Sequence, residues 1–405
     1  MNRASANGKR QMPASIAAPR LVLLLCVLAL LLIGFVMVYS ASSIKAISEG
    51  KSAAHFLANQ ILYSGAGVLA ALVLWKLIPL KVWKGPLLWV VLAFAVLLLG
   101  ATALVGDELN GAKRWLPITT SIGIQPSEFA KVAFILAAAR IVSDMREGRS
   151  DWKALSVEIA LVVVPLLGLV FKAQSDLGTT LICVVGILAV MWFGEVPFRV
   201  ILGIIAVGAL FAFLAIVFSD YRSGRFVFLD PWNDGQGGYG DGYQIIRSYY
   251  AFAEGGLFGV GLGNSHEKYL YLFASESDFI FAIIGEELGL LGALAIIALF
   301  LVFLYAGVRI ARVAAGDFGA MVAGGFTVAI VFQAFLNIGS TIGALPTTGK
   351  PLPFVSSGGS SMIATFMMVG LILAVAQEAA RTDVYRERRE NLRVVHADAG
   401  ARNRR

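Results

Sequence analysis

Apolar runs of about 20 residues recur along this 405-residue chain and constrain its fold more than any other feature. A helix needs about 20 mostly apolar residues to cross the hydrocarbon core of a bilayer. Charged residues make up only 15% of the chain, against roughly 25% in soluble domains. The sequence therefore predicts an all-α polytopic membrane protein with about ten transmembrane helices. The predicted spans are residues 21–40, 56–79, 86–105, 126–143, 154–173, 177–193, 197–218, 279–307, 318–340 and 357–380.

Lysine and arginine are unevenly divided between the two sides that these spans define. More than half of them fall on the side of the N-terminus, and cytoplasmic loops of membrane proteins carry such an excess. Both termini are therefore predicted in the cytoplasm. The chain then divides into a cytoplasmic segment 1–20, a membrane domain 21–380 and a basic tail 381–405. The tail has no apolar run and is predicted to be poorly ordered.

Other compositional features exclude several classes of protein. The basic residues are dispersed between spans, without the stripe of cations and aromatics that nucleic acid requires, so no nucleic-acid partner is predicted. Cys26 and Cys183 lie in different apolar runs and indicate neither a disulfide framework nor a metal site. The glycine alternation at residues 259–263 is typical of a loop rather than of a dinucleotide fingerprint.

The longest predicted loop, residues 219–277, lies on the outer side between the seventh and eighth spans. Its tyrosines, glycines and charges indicate a structured element rather than a linker. Within it, residues 243–252 place apolar and aromatic side chains at helical spacing beside polar ones. This pattern predicts a short helix lying in the membrane interface.

Glu128 and Lys131 open the fourth span, just after Pro126. Proline suits the first helical turn, and a carboxylate near a helix N-terminus is favoured by the helix dipole. The two charged side chains are three residues apart and lie on one face. Two interpretations stay open at this point: an ion pair that lets the helix insert into the membrane, or a functional pair at membrane depth.

Asp278 lies where the long outer loop enters the eighth span. A carboxylate at this boundary is partly desolvated, which raises its pKa toward the range of a general base. Its competing role is that of a helix N-cap, and both roles can hold together. Glu286 and Glu287 lie about two turns deeper and point to other faces of the helix, so we expect them to brace neighbouring helices.

Residues 345–361 contain three prolines and three glycines, which exclude a continuous helix between the last two spans. Irregular backbone at this depth is tolerated only where protein buries it or where it lines a wet cavity. Thr347, Thr348, Ser356 and Ser357 are candidates for holding phosphate or sugar oxygens, with loop hydrogen bonding as the alternative. The Gly-Lys pair within this stretch lacks the spacing of an ATP-binding loop.

These motifs, in this order on a ten-span chain, resemble the SEDS family of bacterial cell-wall proteins, whose members include FtsW, RodA and SpoVE. Further matches are Ser175-Asp176-Leu177-Gly178-Thr179-Thr180, Phe228-Leu229-Asp230-Pro231-Trp232, Gly242-Tyr243-Gln244 and the run from Gly255 to Gly263. The resemblance covers the chain from the first span to the tenth. The Pro-Thr-Thr-Gly run and the long polar N-terminus are more similar to FtsW than to RodA. Glu276 stands where the family usually has histidine.

The resemblance implies a peptidoglycan glycosyltransferase that polymerises lipid II into β-1,4-linked glycan strands and releases undecaprenyl pyrophosphate, in cell division or elongation. It implies the bacterial cytoplasmic membrane, with the active site on the outer face. The catalytic aspartate of the family's Asp-Phe-Ile-Phe-Ala motif falls on Asp278, and its conserved glutamate and lysine of the fourth helix fall on Glu128 and Lys131. The implied partners are a class B penicillin-binding protein of the FtsI type and other divisome or elongasome membrane proteins.

The leaving pyrophosphate needs positive charge. Candidate sources are Lys131, the outer-loop arginines Arg222, Arg225 and Arg247, and a divalent cation such as Mg²⁺ or Mn²⁺, while no nucleotide or redox cofactor is predicted. Two other functions stay open. The chain would be a lipid II flippase if the ionisable groups lined a transport path, or a non-catalytic scaffold if its loops and tail only recruited the penicillin-binding protein.

Overall fold

The computed structural model describes residues 13–109, 112–117, 123–151, 176–217 and 224–402, with a few isolated positions between 158 and 170. The predicted fifth span, residues 154–173, lies almost entirely outside the described residues. The described α-helices are α1 Ala14–Ser48, α2 His55–Lys76, α3 Pro86–Val105, α4 Pro126–Arg146, α5 Leu177–Phe193, α6 Phe198–Val217, α7 Tyr243–Gly255, α8 Ile280–Arg312, α9 Asp317–Thr341 and α10 Gly359–Arg402. Short 3₁₀ helices occupy Leu80–Lys84 and Gly224–Leu229.

The helices form a bundle with an apolar exterior. Among the described residues, α1, α2, α3, α8, α9 and the first part of α10 are long and apolar enough to cross a membrane, and α5 and α6 add shorter apolar segments. Their outward side chains include Leu69, Val90 and Leu97, each more than 60% exposed. A continuous apolar surface of this kind needs lipid rather than water around it. The prediction of a helical, multi-pass membrane protein is confirmed.

Helix α9 lies inside the bundle, where it packs against α4, α5 and α8, while α10 packs along α2 and α4. Small residues permit the close approach of α2 and α10. A Cβ atom added to Gly370 would lie 2.6 Å from the carbonyl oxygen of Ala71, and one added to Gly67 would lie 2.7 Å from the ring of Phe366. Such contacts bring helix backbones close together, which is the usual way that membrane helices gain packing energy.

A break in α8 connects this helix to the outer loop. Gly289 has a φ of 67° inside the helix, and such a φ is accessible to glycine at little cost. The carbonyl oxygens of Glu286 and Glu287 accept hydrogen bonds from the backbone N–H groups of Val260 and Gly261, at 2.9 and 3.1 Å. The loop thereby supplies donors that the interrupted helix lacks.

The buried carboxylates beside this break hold the outer loop in place. Glu287 accepts hydrogen bonds from Ser40 of α1 at 2.6 Å and from Lys268 at 3.2 Å. Glu286 accepts a hydrogen bond from Ser265 at 2.6 Å. The expectation that both glutamates brace neighbouring helices is therefore confirmed for Glu287, whereas Glu286 binds the loop instead.

Replacing Gly289 by alanine is expected to lower the free energy of unfolding by about 1–3 kcal/mol, the usual cost of forcing a side chain into this backbone region. The new Cβ atom would also lie 2.3 Å from the backbone nitrogen of Gly259. Thermal unfolding of the detergent-solubilised protein, followed by tryptophan fluorescence, measures the change. Gly100→Ala is the matched control, because nothing lies within 4 Å of a Cβ atom at that helical glycine. Equal midpoints for the two variants would contradict the expectation.

Two differences from the sequence-based prediction concern regions outside the main bundle. A small antiparallel sheet of β1 Asp107–Leu109, β2 Ala112–Pro117 and β3 Gly123–Ile124 joins α3 to α4, in the order β1-β2-β3. These strands are too short and too charged to show the alternating pattern that identifies a strand. The tail was predicted to be poorly ordered, but α10 continues to Arg402. Its arginine, glutamate and alanine residues favour helix, and no proline interrupts them.

The remaining helix boundaries agree closely with the predicted spans. The outer-loop helix α7 begins at Tyr243 as predicted and extends to Gly255. It buries Ile245, Ile246 and Ala251 and packs against α8. Helix α1 is longer than its predicted span at both ends, because the flanking residues continue the helix without a break.

Candidate active site

Asp278 lies in the turn immediately before α8 and is half-buried. A Cβ atom added to Gly349 would lie 3.6 Å from its Oδ2 atom, so the proline-rich loop, residues 345–361, borders the carboxylate. Burial raises the pKa of Asp278 to about 6; the nearby charges of Lys350 and Arg114 oppose this rise and that of Glu276 reinforces it. The predicted increase of the Asp278 pKa toward the range of a general base is confirmed.

The N-cap role predicted as the alternative for Asp278 is not observed. The N-cap of α8 is Phe279, and no side chain caps the helix there. The Asp278 backbone is held instead, because Asn337 of α9 donates hydrogen bonds from its Nδ2 atom to the carbonyl oxygens of both Asp278 and Lys350, each at 2.8 Å. One amide therefore joins the turn that carries the carboxylate to the proline-rich loop.

Two further contacts join these segments. Ser356 donates a hydrogen bond from its Oγ atom to the carbonyl oxygen of Ser277 at 2.6 Å. The backbone N–H of Ser357 donates to the carbonyl oxygen of Glu276 at 2.9 Å. The Glu276 carboxylate forms an ion pair with Lys45 of α1. Contacts on both sides thus fix the turn around Asp278.

A cluster of buried charges lies behind the proline-rich loop. Lys131 contacts Glu128 at 2.7 Å, and Lys350 contacts Asp176 at 2.8 Å and Glu128 at 3.3 Å. Each of these side chains is at most 3% exposed. Two lysines and two carboxylates balance each other, which offsets part of the large cost of burying charge.

Amide and hydroxyl groups complete the hydrogen bonding of this cluster. Gln333 of α9 accepts a hydrogen bond from Lys131 at 2.7 Å and donates one to the carbonyl oxygen of Pro351 at 2.9 Å. Ser127 and Thr179 donate hydrogen bonds to the Asp176 carboxylate, at 3.1 and 2.8 Å. The cluster is therefore a well-satisfied polar element that connects α4, α5 and α9 to the loop beside Asp278.

The four residues of the proline-rich loop that were predicted to hold phosphate or sugar oxygens lie in different environments. Thr347 lines an outer cleft, whereas the buried Oγ1 atom of Thr348 has no hydrogen-bond partner among the described atoms. Ser356 Oγ donates to Ser277 and accepts from the Leu352 backbone, so loop hydrogen bonding accounts for it. The backbone N–H of Ser357 binds the carbonyl oxygen of Glu276 and so helps to hold the turn that carries Asp278.

The predicted outer arginines are only partly described. Arg222 lies outside the described residues, as does the side chain of Arg225. Arg247 contacts the carboxylate of Glu267 at 3.4 Å and lies over the ring of Tyr271, with its guanidinium carbon 4.7 Å from the ring centroid. These contacts give Arg247 a role in holding the outer loop.

Several residues of the site were not predicted: Lys350, Asp176, Gln333, Asn337 and Arg114. Lys350 was recognisable in principle, because a lysine within irregular backbone at membrane depth is costly and therefore informative. Asp176 was visible as an acid just before an apolar run, where it caps α5. Arg114 lies on a strand that hydropathy analysis does not reveal.

An outer cleft of 460 Å³ lies beside the site. Its lining includes Tyr239, Asp241 and Gln244 from the outer loop, together with Phe273 and Thr347. The last two residues belong to the two segments that meet at Asp278. Aromatic side chains together with a few polar groups are a typical lining of a small-molecule site.

The described residues contain no group of three or more histidine, cysteine or acidic side chains that could hold a metal ion. Among the described acids of the immediate site, Glu276 pairs with Lys45 and Asp176 with Lys350, whereas no ion pair joins Asp278 to a lysine. Mg²⁺ is often held by one or two carboxylates together with substrate phosphates. The divalent cation stays a prediction.

The fold and the site together define a helical membrane protein in which a buried charge cluster lies behind the loop that borders the Asp278 carboxylate. Comparison with known proteins specifies the family. The model of the FtsW/RodA/SpoVE family, described as cell cycle protein, matches residues 20–381. The chain therefore belongs to the FtsW/RodA/SpoVE family, as the resemblance predicted.

The similarity to individual relatives extends over most of this chain. Stage V sporulation protein E of Bacillus subtilis is 38% identical over 372 residues, covering 89% of this chain and 97% of that protein. A probable peptidoglycan glycosyltransferase FtsW of Trichlorobacter lovleyi is 37% identical over 368 residues, covering 90% and 94%.

Two solved structures share the fold. A chain from a study of the structural coordination of polymerization and crosslinking by a peptidoglycan synthase complex superposes with a TM-score of 0.69 at 26% identity, covering 88% of this chain and 97% of that one. The rod shape determining protein RodA of Thermus thermophilus gives a TM-score of 0.64 at 28% identity, covering 88% and 96%. The predicted SEDS fold is confirmed.

Proposed function

We propose that this chain is a peptidoglycan glycosyltransferase that polymerises lipid II into β-1,4-linked glycan strands. The observation that carries the proposal is the half-buried Asp278 carboxylate, with a pKa raised to about 6, at the junction of the outer loop and the proline-rich loop. Relatives named peptidoglycan glycosyltransferase cover nearly all of this chain and support the same activity.

The reaction joins the 4-hydroxyl group of an acceptor sugar to C1 of a donor sugar. Asp278 takes the hydroxyl proton while the oxygen forms a bond to C1, and the bond from C1 to the pyrophosphate oxygen breaks with inversion. Undecaprenyl pyrophosphate leaves with the electron pair of that bond. A pyrophosphate is a stable anion, so one base is sufficient and no protonated acid is needed.

Positive charge near the leaving group stabilises the transition state. Arg114 is close enough to Asp278 for its charge to act on that carboxylate, and we propose that it also faces the pyrophosphate. Arg222, Arg225 and Arg247 remain proposals for the same role. Glu128 and Lys131 are fully buried and paired with each other, so direct contact with substrate would require their partners to move.

The buried cluster argues against a flippase. Its four charged groups pair with one another and are each at most 3% exposed, so a transported lipid could reach them only if these pairs were broken. Sealed liposomes that contain labelled lipid II distinguish the two functions. We expect glycan polymer on addition of the protein and its partner. Movement of lipid II across the bilayer without polymer would overturn the proposal.

The location and partner follow from the same proposal. The protein lies in the bacterial cytoplasmic membrane with both termini in the cytoplasm and Asp278 on the outer face. Its partner is a class B penicillin-binding protein, which crosslinks the strands that this chain makes. The similarity to a chain of a peptidoglycan synthase complex supports this pairing. Relatives named FtsW support a place in the divisome.

The rate of polymerisation is expected to depend on pH through Asp278. A general base acts only when deprotonated, so the rate rises with pH through the Asp278 pKa of about 6 and is lost as pH falls below it. Initial rates between pH 4.5 and 8, at saturating lipid II, measure this profile. A rate that stays constant from pH 4.5 to 8 while the protein remains folded would contradict the assignment of the base.

A further inference from the structure

A second polar cleft lies at the opposite end of the bundle from the predicted outer face. It has a volume of 290 Å³ and lies between the end of α2, the 3₁₀ helix after it and the part of α10 near residue 381. Lys76, Lys81 and Arg381 line this cleft, with Glu378 as the one acid among the described lining residues. The chain segments that charge counting places in the cytoplasm therefore meet here.

A fourth cation adds to this cluster. Arg20 of α1 lies over the ring of Trp75, with its guanidinium carbon 5.6 Å from the ring centroid, and the Lys76 ammonium lies 3.6 Å from the same ring. Arg20 and Arg381 are both close enough for their charges to act on Lys76. The cluster therefore concentrates like charge, which is unfavourable unless an anion is present.

The described side chains supply little negative charge to balance these cations. Among the described side chains, no carboxylate forms an ion pair with Arg20, Lys76, Lys81 or Arg381, and the hydrogen bond of Lys76 goes to the neutral amide of Gln377. The indole N–H of Trp75, which also lines the cleft, is buried without an acceptor in the same part of the chain.

Three neighbouring cations at this end of the bundle differ in this respect, because each is paired with a carboxylate. Lys84 pairs with Glu147, Arg146 with Glu195, and Arg149 with Glu147. These basic residues have carboxylate partners, whereas no described carboxylate forms an ion pair with the cations of the cleft. The contrast indicates that the cleft is suited to an anion that the described side chains do not provide.

The position of the cleft identifies the kind of anion. Trp75 and Lys76 end an apolar helix that is long enough to span the membrane, and tryptophan and lysine at such ends lie at the level of lipid headgroups. Basic pockets between membrane helices on the cytoplasmic side bind anionic headgroups. We propose that this cleft binds the phosphodiester headgroup of an anionic phospholipid, with Lys76, Lys81 and Arg381 as its cationic ligands.

The site is distinct from the proposed catalytic site and does not depend on it. Native mass spectrometry of the full chain in detergent tests it, with phosphatidylglycerol and phosphatidylcholine of identical acyl chains as probes. Three cations at about 1 kcal/mol each predict roughly 100-fold tighter retention of phosphatidylglycerol. In the Lys76→Gln, Lys81→Gln, Arg381→Gln triple variant this preference should fall to near unity.

The matched control removes the same number of cations from the same end of the bundle, as Lys84→Gln, Arg146→Gln and Arg149→Gln. It should keep the preference of the wild type. Equal retention of the two lipids by the wild type, or an equal loss in both triple variants, would overturn the proposal. Displacement of the lipid by equimolar glycerol 1-phosphate would also overturn it, because the ligand would then be a free phosphate ester.

The NaCl dependence of lipid retention by the wild type tests the proposal even if the triple variant does not fold. An electrostatic headgroup site weakens as salt screens its charges. Retention of phosphatidylglycerol by the wild type should therefore fall steeply between low and high NaCl, while retention of phosphatidylcholine changes little. Retention of phosphatidylglycerol that is insensitive to NaCl would contradict the proposed role of the cations.

Discussion

Replacement of Lys350 by methionine is expected to lower the free energy of unfolding by about 3–5 kcal/mol, the usual cost of removing one partner from a buried ion pair. Lys350 contacts Asp176 at 2.8 Å and Glu128 at 3.3 Å, and all three side chains are at most 3% exposed. Methionine has a similar length, so the loss of stability comes from the missing charge rather than from a change in side-chain volume. Asp176 would be left buried without a cation in contact.

Thermal unfolding in detergent measures this change, with Lys51→Met as the matched control. Lys51 pairs with Glu49 at 2.6 Å, but both side chains are more than one third exposed. An exposed pair contributes less than about 1 kcal/mol. The control should therefore unfold close to the wild type. A Lys350→Met variant as stable as the Lys51→Met variant would show that the buried cluster does not stabilise the fold.

Replacement of Asp278 by asparagine is expected to reduce the rate of polymerisation by about 10²–10⁴-fold, the contribution of a well-placed general base. The substitution keeps the size of the side chain and removes its ability to take a proton. Asn337 donates a hydrogen bond to the carbonyl oxygen of Asp278, and Ser356 donates one to the carbonyl oxygen of Ser277. Neither bond involves the Asp278 carboxylate, so the fold should persist. A lower rate of polymerisation would then reflect the missing base rather than unfolding of the protein.

The matched control is Glu254→Gln, which neutralises an exposed carboxylate on α7 of the same outer loop. It should polymerise at close to the rate of the wild type. Unfolding midpoints for both variants establish that equal amounts of folded protein are compared. A rate loss of similar size in both variants would point to the charge of the loop rather than to Asp278 as a base.

The sequence predicted those features that depend on local patterns. Hydropathy placed most helices, and helical spacing located α7. Asp278, Glu128 and Lys131 were identified because an ionisable group at membrane depth is costly and hence informative. The contact between Glu128 and Lys131 followed from their separation of three residues on one helix.

Features that depend on chain topology could not be predicted in the same way. Lys350 and Asp176 are 174 residues apart in sequence, and only the packing of α5 against α9 brings the proline-rich loop to Asp176. The link from Asn337 to the backbone at Asp278 is also long-range. The predicted N-cap role of Asp278 failed because α8 begins after Phe279.

Conversion of labelled lipid II to glycan polymer, resolved on a gel after incubation with the purified chain and its penicillin-binding partner, tests the central claim most directly. Parallel time courses use the wild type and the Asp278→Asn variant at equal folded concentration. We predict a ladder of long strands for the wild type and unreacted lipid II for the variant. Strands formed by the folded variant as fast as by the wild type would contradict the claim that Asp278 is the catalytic base.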